Sequence, residues 1–563
     1  MTSTTLSELK DGIRAALKDG RSDDAKAMLS VALDRWPDSY WTLMLRAEVM
    51  GASGAVAAAL EEYRAIHEAF PDKHPPVLGM IRLLLQQDRL SEARAVFEDV
   101  VWPGAAPDDS KSQLITALSP RHGKLGETAD FLEGLLARNR SNATVLTRLA
   151  VVRGAQRRLD EAVRLFDEAA AFGPLPDYAQ AIRADLLLTG GRGTDGLALA
   201  SELAATNPHR VDHTQRLILA YSFGGAPRNA ALLMKQAATK WPREWRLLHL
   251  FNRMPPLPPL WQEIFAVFED GLNIATADPR ALFQFARASL RQGRTELALS
   301  ALAPIAREAS SGHMAKPLES ALRKFSPAEW RARSRLADDP AAEFQFVPVA
   351  GADTTIVVFG GTDGCFSYLP FGHLDALISA YRANVIYLRD YRSLAYFEGV
   401  SSLAPNAEQT VVRLRDILER HETRRVITVG CSVGGFAAIR YGAQLGAQAA
   451  ITFGAPTTLD KEFQADVKFG TGYDPGTRKR ALSIHLLGEK DLIRDIVRAE
   501  TMRVFVYYST QHRSSVAHAD RLRGLSNVEL RPQEISDHYV ALHAIVDDSF
   551  DRLIGDEIGV ARN

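Results

Sequence analysis

Residues Arg425–Gly442 read RVITVGCSVGGFAAIRYG, and the fold of the C-terminal part of the chain is decided there. The apolar run Val426–Val429 predicts a strand, the small-residue run that follows predicts a helix, and Ser432 stands at the bend between them. The turn, Gly430-Cys431-Ser432-Val433-Gly434, has the G-x-S-x-G spacing of a nucleophile elbow. A serine at the tip of so sharp a corner needs neighbours without side chains, so Gly430 and Gly434 are expected to prevent a collision across it. Gly435, Ala437 and Ala438 would let the helix pack close beneath the sheet. The helix N-terminus would offer N–H groups and partial positive charge to an oxyanion.

Outward from this stretch, apolar strands alternate with amphipathic helices, as βαβ units of a doubly wound, mainly parallel sheet require. Strands are expected at about 342–348, 354–359, 384–388, 425–429, 448–453, 502–508 and 527–532, and helices at about 371–382, 407–421, 433–445, 514–523 and 539–554. This order, with the elbow after the fourth strand, resembles the α/β-hydrolase superfamily over residues 342–563, with 456–500 in the place of a lid or cap insert. The resemblance implies an enzyme with Ser432 as nucleophile and, in EISDHYVALHAI after the last strand, His538 as general base. His543 would face elsewhere. Val433 N–H would be one oxyanion donor, and Gly361 or Thr362 in the loop FGGTDG, Phe359–Gly364, the other.

The acid departs from the family pattern. No carboxylate stands between Tyr508 and Val516, where Gln511 and His512 occupy the expected turn. Asp491, in LLGEKD, and Asp520 are the candidate acids, while Asp537 adjoins the base itself. A Ser-His dyad, or a neutral partner such as Gln511, is also workable. Asp390 and Arg392 are read as organising their loop. Aromatics Phe366, Tyr368, Phe371, Tyr391, Tyr396 and Phe397 are divided between pocket and core.

Toward the N-terminus the pattern changes class. Prolines closing helical segments recur at Pro37, Pro71, Pro107, Pro174, Pro208 and Pro242, a period of about 34 residues. Small residues keep nearly the same phase at Ala25, Ala59, Ala93, Thr128, Ala162, Gly196, Ala230 and Ala298. Segments such as GRSDDAKAMLSVALDRWP and GAPRNAALLMKQAATKWP share a polar turn, a small residue, an apolar helical stripe and a closing Pro. This resembles the tetratricopeptide repeat, with about eight or nine copies over residues 5–310 and breaks at 103–122 and 251–262. The resemblance implies an all-α superhelical solenoid whose concave face binds a protein or peptide. The chain is thus expected as a multidomain protein: repeats at 1–310, a linker with a possible capping helix at 311–341, and the α/β-hydrolase-like domain at 342–563.

Composition is ordinary, with 46% hydrophobic and 24% charged residues and a net charge of −1, so nothing points to nucleic acid. No run approaches the ~18 apolar residues of a membrane span, and no leader pattern opens the chain, so a cytoplasmic, bacterial-type soluble protein is expected. Two cysteines, Cys365 and Cys431, argue against a Cys-rich metal site, and no cofactor is expected. Two functions fit. The first is a serine esterase or acyltransferase acting on a small acyl or glycan ester, with the repeats as a targeting arm. The other is a non-catalytic scaffold in an assembly that builds or exports bacterial surface polysaccharide or glycoprotein.

Overall fold

The structure, a computed structural model, describes residues 5–102, 108–119, 125–156, 158–190, 192–307, 312–392, 395–460, 463 and 490–563. Pro107, parts of the expected break at 103–122 and most of the expected insert at 456–500 lie outside the described residues. By its internal contacts the chain divides into two compact units, Met1–Leu175 and Pro176–Asn563.

Among the described residues the first unit holds five helix pairs, beginning with Leu6–Lys18 and Ser22–Arg35, and the second opens on four more, ending with Pro279–Arg291 and Thr295–Ile305, helical repeats in each. The phased small residues explain the pairing. Ala25, Ala59, Ala93, Thr128, Ala162, Ala230 and Ala298 are all fully buried, so each second helix can approach its first closely. At Gly196 even a methyl group would not fit, because a Cβ there would lie 2.7 Å from the backbone nitrogen of Leu188. The one beat without a small residue is filled by Ile264, in helix Leu260–Gly271, which the loop 252–259 separates from its partner Trp245–Phe251. Residues 312–333 form two helices, Gly312–Leu322 and Pro327–Arg333, where a single capping helix was expected. The break is written in the sequence: at the start of the second helix the Ser326 and Glu329 side chains each accept the other's backbone N–H, and Pro327 opens it.

The C-terminal region is a seven-stranded mixed sheet covered by helices. Its strands are β1 (Phe344–Val347), β2 (Thr354–Phe359), β3 (Asn384–Leu388), β4 (Arg425–Cys431), β5 (Ala449–Phe453), β6 (Arg503–Ser509) and β7 (Val528–Gln533). Their order is β1-β3-β2-β4-β5-β6-β7. All neighbours pair in parallel except β1, which runs antiparallel to β3 at one edge. From β2 the chain moves outward to β3 and then returns past β2 to β4, so the loops after β2 and β4 diverge and leave a crevice at the strands' C-terminal ends.

Strands β2, β3 and β5 are buried on both faces. On one face Val357, Phe359, Ile386 and Leu388 pack with Phe436, Ile439 and Leu414. On the other, Ile356, Val358, Val385, Ile427 and Val429 belong to one continuous core with Phe285, Leu290, Leu302 and Leu318 of the helices before the sheet. The helix expected over 539–554 is interrupted. It ends at Val546, resumes at Ser549–Arg552, and Asp548 between them is left-handed at φ 62°. Lys324 explains the stop, because its ammonium donates to the Ile545 carbonyl at 2.9 Å and pairs with Asp548.

Candidate active site

Ser432 lies between β4 and helix Val433–Leu445 with φ 51° and ψ −125°, a conformation that costs a non-glycine residue about 1–3 kcal/mol. The corner is closed by Ser432 N–H donating to the Phe453 carbonyl (2.9 Å) and by the Ser432 carbonyl accepting from Gly435 N–H (2.9 Å). A Cβ at Gly430 would run into the Gly434 carbonyl, the expected collision across the corner. Gly434 is different: its Cβ would strike the carbonyl oxygens of Phe359 and Gly360, so this glycine fits the corner against the end of β2. Gly435 lets the helix approach β5, since its Cβ would sit 2.6 Å from that of Ala455.

His538 comes from the segment after β7, just before helix Val540–Val546. Its Nε2 lies 3.3 Å from Ser432 Oγ, so the serine hydroxyl donates to it when that nitrogen carries no proton. Gly454, at φ 58°, gives the ring its place; a Cβ there would be 3.1 Å from His538 Cε1.

The loop after β2 is a tight turn held by Gly364 N–H to the Gly361 carbonyl (3.0 Å) and Gly361 N–H to the Cys365 carbonyl (2.8 Å). Gly361 N–H therefore already has an acceptor inside its own loop. Val433 is the first residue of its helix, where N–H groups have no intrahelical acceptor.

The candidate acids go elsewhere. Asp491 pairs with Arg521 and accepts from Ile493 N–H (2.9 Å). Asp520 pairs with Arg523 three residues on, at 2.6 Å. Asp537 accepts from Tyr539 N–H (2.7 Å) and faces His543 Nε2 (3.2 Å), which is where His543 turns. Each of these contacts is to a residue other than His538. The turn after β6 instead brings His512, whose ring centroid lies 5.6 Å from that of His538. His512 Nδ1 accepts from Ser515 N–H (3.3 Å), capping helix Arg513–Asp520. Burial lowers the His512 pKa against the opposing pull of Asp537.

Asp390 accepts from Tyr396 N–H (2.9 Å) and Arg392 pairs with Glu398, the loop-organising parts expected of them. Phe366, Phe371 and Tyr396 are fully buried core, whereas Tyr368 reaches Tyr539, the residue after His538, with its hydroxyl (2.6 Å). Both cysteines are buried, which pushes their thiols up to about 12, and Cys431 Sγ accepts from Ser367 N–H (3.1 Å). Among the described residues no group of three or more His, Cys, Asp or Glu side chains could hold a metal ion. No helix among them is long and apolar enough to cross a membrane.

One feature of the site was missed in the sequence. Arg287, on the first helix of the last repeat pair, donates to Asp363 in the loop after β2 at 2.9 Å. In PRALFQFARASLR Arg287 stands in line with Arg280, Gln284 and Arg291, the polar stripe of an ordinary amphipathic helix, so the sequence carried no signal for it.

Residues 52–115 match the family model of the tetratricopeptide repeat, and the N-terminal part of the chain carries such repeats. No curated protein matches the chain. Among solved structures, Pseudomonas aeruginosa pilF is similar at 19% identity over 37% of this chain and 96% of its own, with a TM-score of 0.24. A glycosylation-associated protein complex (Gap123) from Streptococcus agalactiae is 17% identical over 39% of this chain and 45% of its own, with a TM-score of 0.28. A carboxylesterase of Nitrososphaera gargenis is 15% identical over 38% of this chain and 93% of its own, with a TM-score of 0.27. At such scores none of these likenesses bears on the chemistry.

Proposed function

We propose that the chain is an α/β-hydrolase-type serine esterase or acyltransferase, acting on a small acyl or glycan ester, whose tetratricopeptide repeats bind a protein or peptide partner. The observation that carries this reading is the meeting of His538 Nε2 with Ser432 Oγ at a corner held in a strained conformation. In the proposed reaction His538 takes the Ser432 proton as Oγ attacks the ester carbonyl carbon. The N–H of Val433, with that of Gly361 or Thr362, receives the charge that develops on the carbonyl oxygen. His538 then returns the proton to the leaving alcohol, and water or a second hydroxyl releases the acyl group by the same route. The diverging loops after β2 and β4 support the placement, because that crevice is where sheets of this kind bind their ligands.

A second reading is favoured by one observation: Asp491 and Asp520 are engaged with arginines, and the turn after β6 carries His512 where a carboxylate would orient the base. On that reading the sheet domain is a scaffold that has lost catalysis. Labelling with a fluorophosphonate, read by intact mass, separates the two. The enzyme reading expects one adduct on the native protein, none on Ser432→Ala, and labelling slowed at least a hundredfold (on the order of 10²) in His538→Ala. No adduct on folded native protein would leave the scaffold.

A further inference from the structure

We propose that Arg287 is a positioning residue of this site: one guanidinium, supplied by the repeat region, sets both the loop after β2 and the segment that carries His538. The inference rests on the proposed function for its catalytic meaning.

Arg287 sits in the middle of helix Pro279–Arg291, which is buried from Ala281 to Arg291. Its Nη2 donates to Asp363 Oδ2 at 2.9 Å, across 76 residues of sequence. Asp363 Oδ1 in turn accepts from Cys365 N–H (3.1 Å), and so closes the same turn that Gly361 and Gly364 build. Burial pushes the Asp363 carboxyl up, but Arg287 with Arg291 outweighs it and keeps the group below its usual range, ionised and able to accept both bonds. The guanidinium carbon lies over the Tyr368 ring, 4.0 Å from its centroid. Tyr368 passes the constraint on, donating to the Tyr539 hydroxyl at 2.6 Å, and Tyr539 follows His538 directly.

Its neighbour Arg291 is also buried, and it donates to the backbone carbonyls of Phe251 (3.5 Å), Asn252 (2.5 Å) and Met254 (3.4 Å), at the end of a repeat helix and in the loop that follows. Arg287 makes no such backbone bond. Its Nη1 goes to Gln284 Oε1 (2.6 Å) and its Nε has no acceptor among the described residues, so the group is arranged for what it touches rather than for its own satisfaction. An apolar pair would fill the same space at no loss of stability, whereas a planar fork over an aromatic ring fixes two directions at once.

The test compares native protein with Arg287→Met, Arg287→Lys, Asp363→Asn and the double variant Arg287→Met/Asp363→Asn, using two readouts. The first is the rate of fluorophosphonate labelling at Ser432. Arg287→Met is expected to slow it about tenfold, Arg287→Lys less, and Asp363→Asn added to Arg287→Met no further, because one link has already been cut. The other readout is the His538 imidazole resonance in 13C-histidine protein, assigned by His538→Ala, which needs no catalysis. It is expected to shift in Arg287→Met, and less in Arg287→Lys, which stands in if the methionine variant does not fold. If native protein takes no adduct, the hydrolase reading fails alone, and the resonance still decides the positioning role. An unshifted His538 resonance in both folded arginine variants overturns the proposal, as does fully additive loss in the double variant.

Discussion

Helices Leu6–Lys18 and Pro279–Arg291 open the first and last repeat pairs and are both thirteen residues long, yet they meet opposite surroundings. Leu6–Lys18 buries Leu9, Ile13 and Ala16, one stripe against its neighbours, and leaves the rest to solvent. Pro279–Arg291 buries eleven consecutive residues, because one side meets the other repeat helices and the rest joins the core that continues onto the sheet. The same repeat grammar therefore makes an arm at one end and part of a site's foundation at the other. Damage at the two places should be equal in energy and unequal in consequence.

Phe285→Ala tests this most severely. Phe285 is 1% exposed and stacks on Phe265 with centroids 5.6 Å apart, so its truncation is expected to cost about 3–5 kcal/mol. Ile13→Ala, at a fully buried position, is expected to cost about 2–5 kcal/mol, including the cavity left behind. Amide hydrogen exchange by peptide, run beside fluorophosphonate labelling, reads the difference. Phe285→Ala should speed exchange in β2 and the loop after it and slow labelling of Ser432. Ile13→Ala should speed exchange only within the first two repeat pairs. Slowed labelling in Ile13→Ala would break the comparison.

The strands were legible because apolar runs bounded by turn residues leave few alternatives, and β2, β3 and β4 begin where the sequence placed them. The repeat phase was legible because Ala25, Ala59 and their successors answer a local steric demand that recurs with the period. The Ser432 corner was legible for the same reason, although the role of Gly434 was misassigned, since its constraint comes from β2, more than seventy residues away in the chain. What could not be read depends on contacts between distant elements. Lys324 stops a helix near Ile545, Arg521 claims Asp491, and Arg287 reaches Asp363, none of which has a local signature.

A second, smaller difference between the two helix pairs lies in their response to pH. The last pair is tied to the sheet by Thr295, whose hydroxyl meets His373 Nε2 at 3.1 Å. Burial, opposed by Asp338, lowers the His373 pKa from 6.5 to about 4. The unfolded chain therefore takes up this proton first as pH falls. The stabilisation is whole above pH 6.5 and is lost progressively as pH falls toward about 4. With ~1.4 kcal/mol per pH unit, the full loss is about 3 kcal/mol. Protection of peptides covering Thr295 and His373, taken relative to the intrinsic exchange rate at each pH, should fall with acid over that window in native protein and stay flatter in His373→Gln. A native profile no steeper than that of the variant would remove this tie from the comparison.

The first pair has a tie of another kind, and its expected effect is the smallest. Arg14 reaches from Leu6–Lys18 to Glu48 on the next repeat, with Nε to Oε2 at 3.0 Å and Nη2 to Oε1 at 2.6 Å. The geometry is bidentate, which favours the pair, but the Arg14 side chain is 42% exposed, so water and salt screen the attraction. A double-mutant cycle of Arg14→Ala and Glu48→Ala should give a coupling of about 0.5–1 kcal/mol at low ionic strength. Most of it should vanish by about 0.5 M salt, where the Debye length falls well below its value at 0.1 M. The His373 tie, buried away from ions, should show no such dependence. A coupling at Arg14 that survived salt would mean that the first pair, too, is locked from within, and that the contrast between arm and foundation is one of degree.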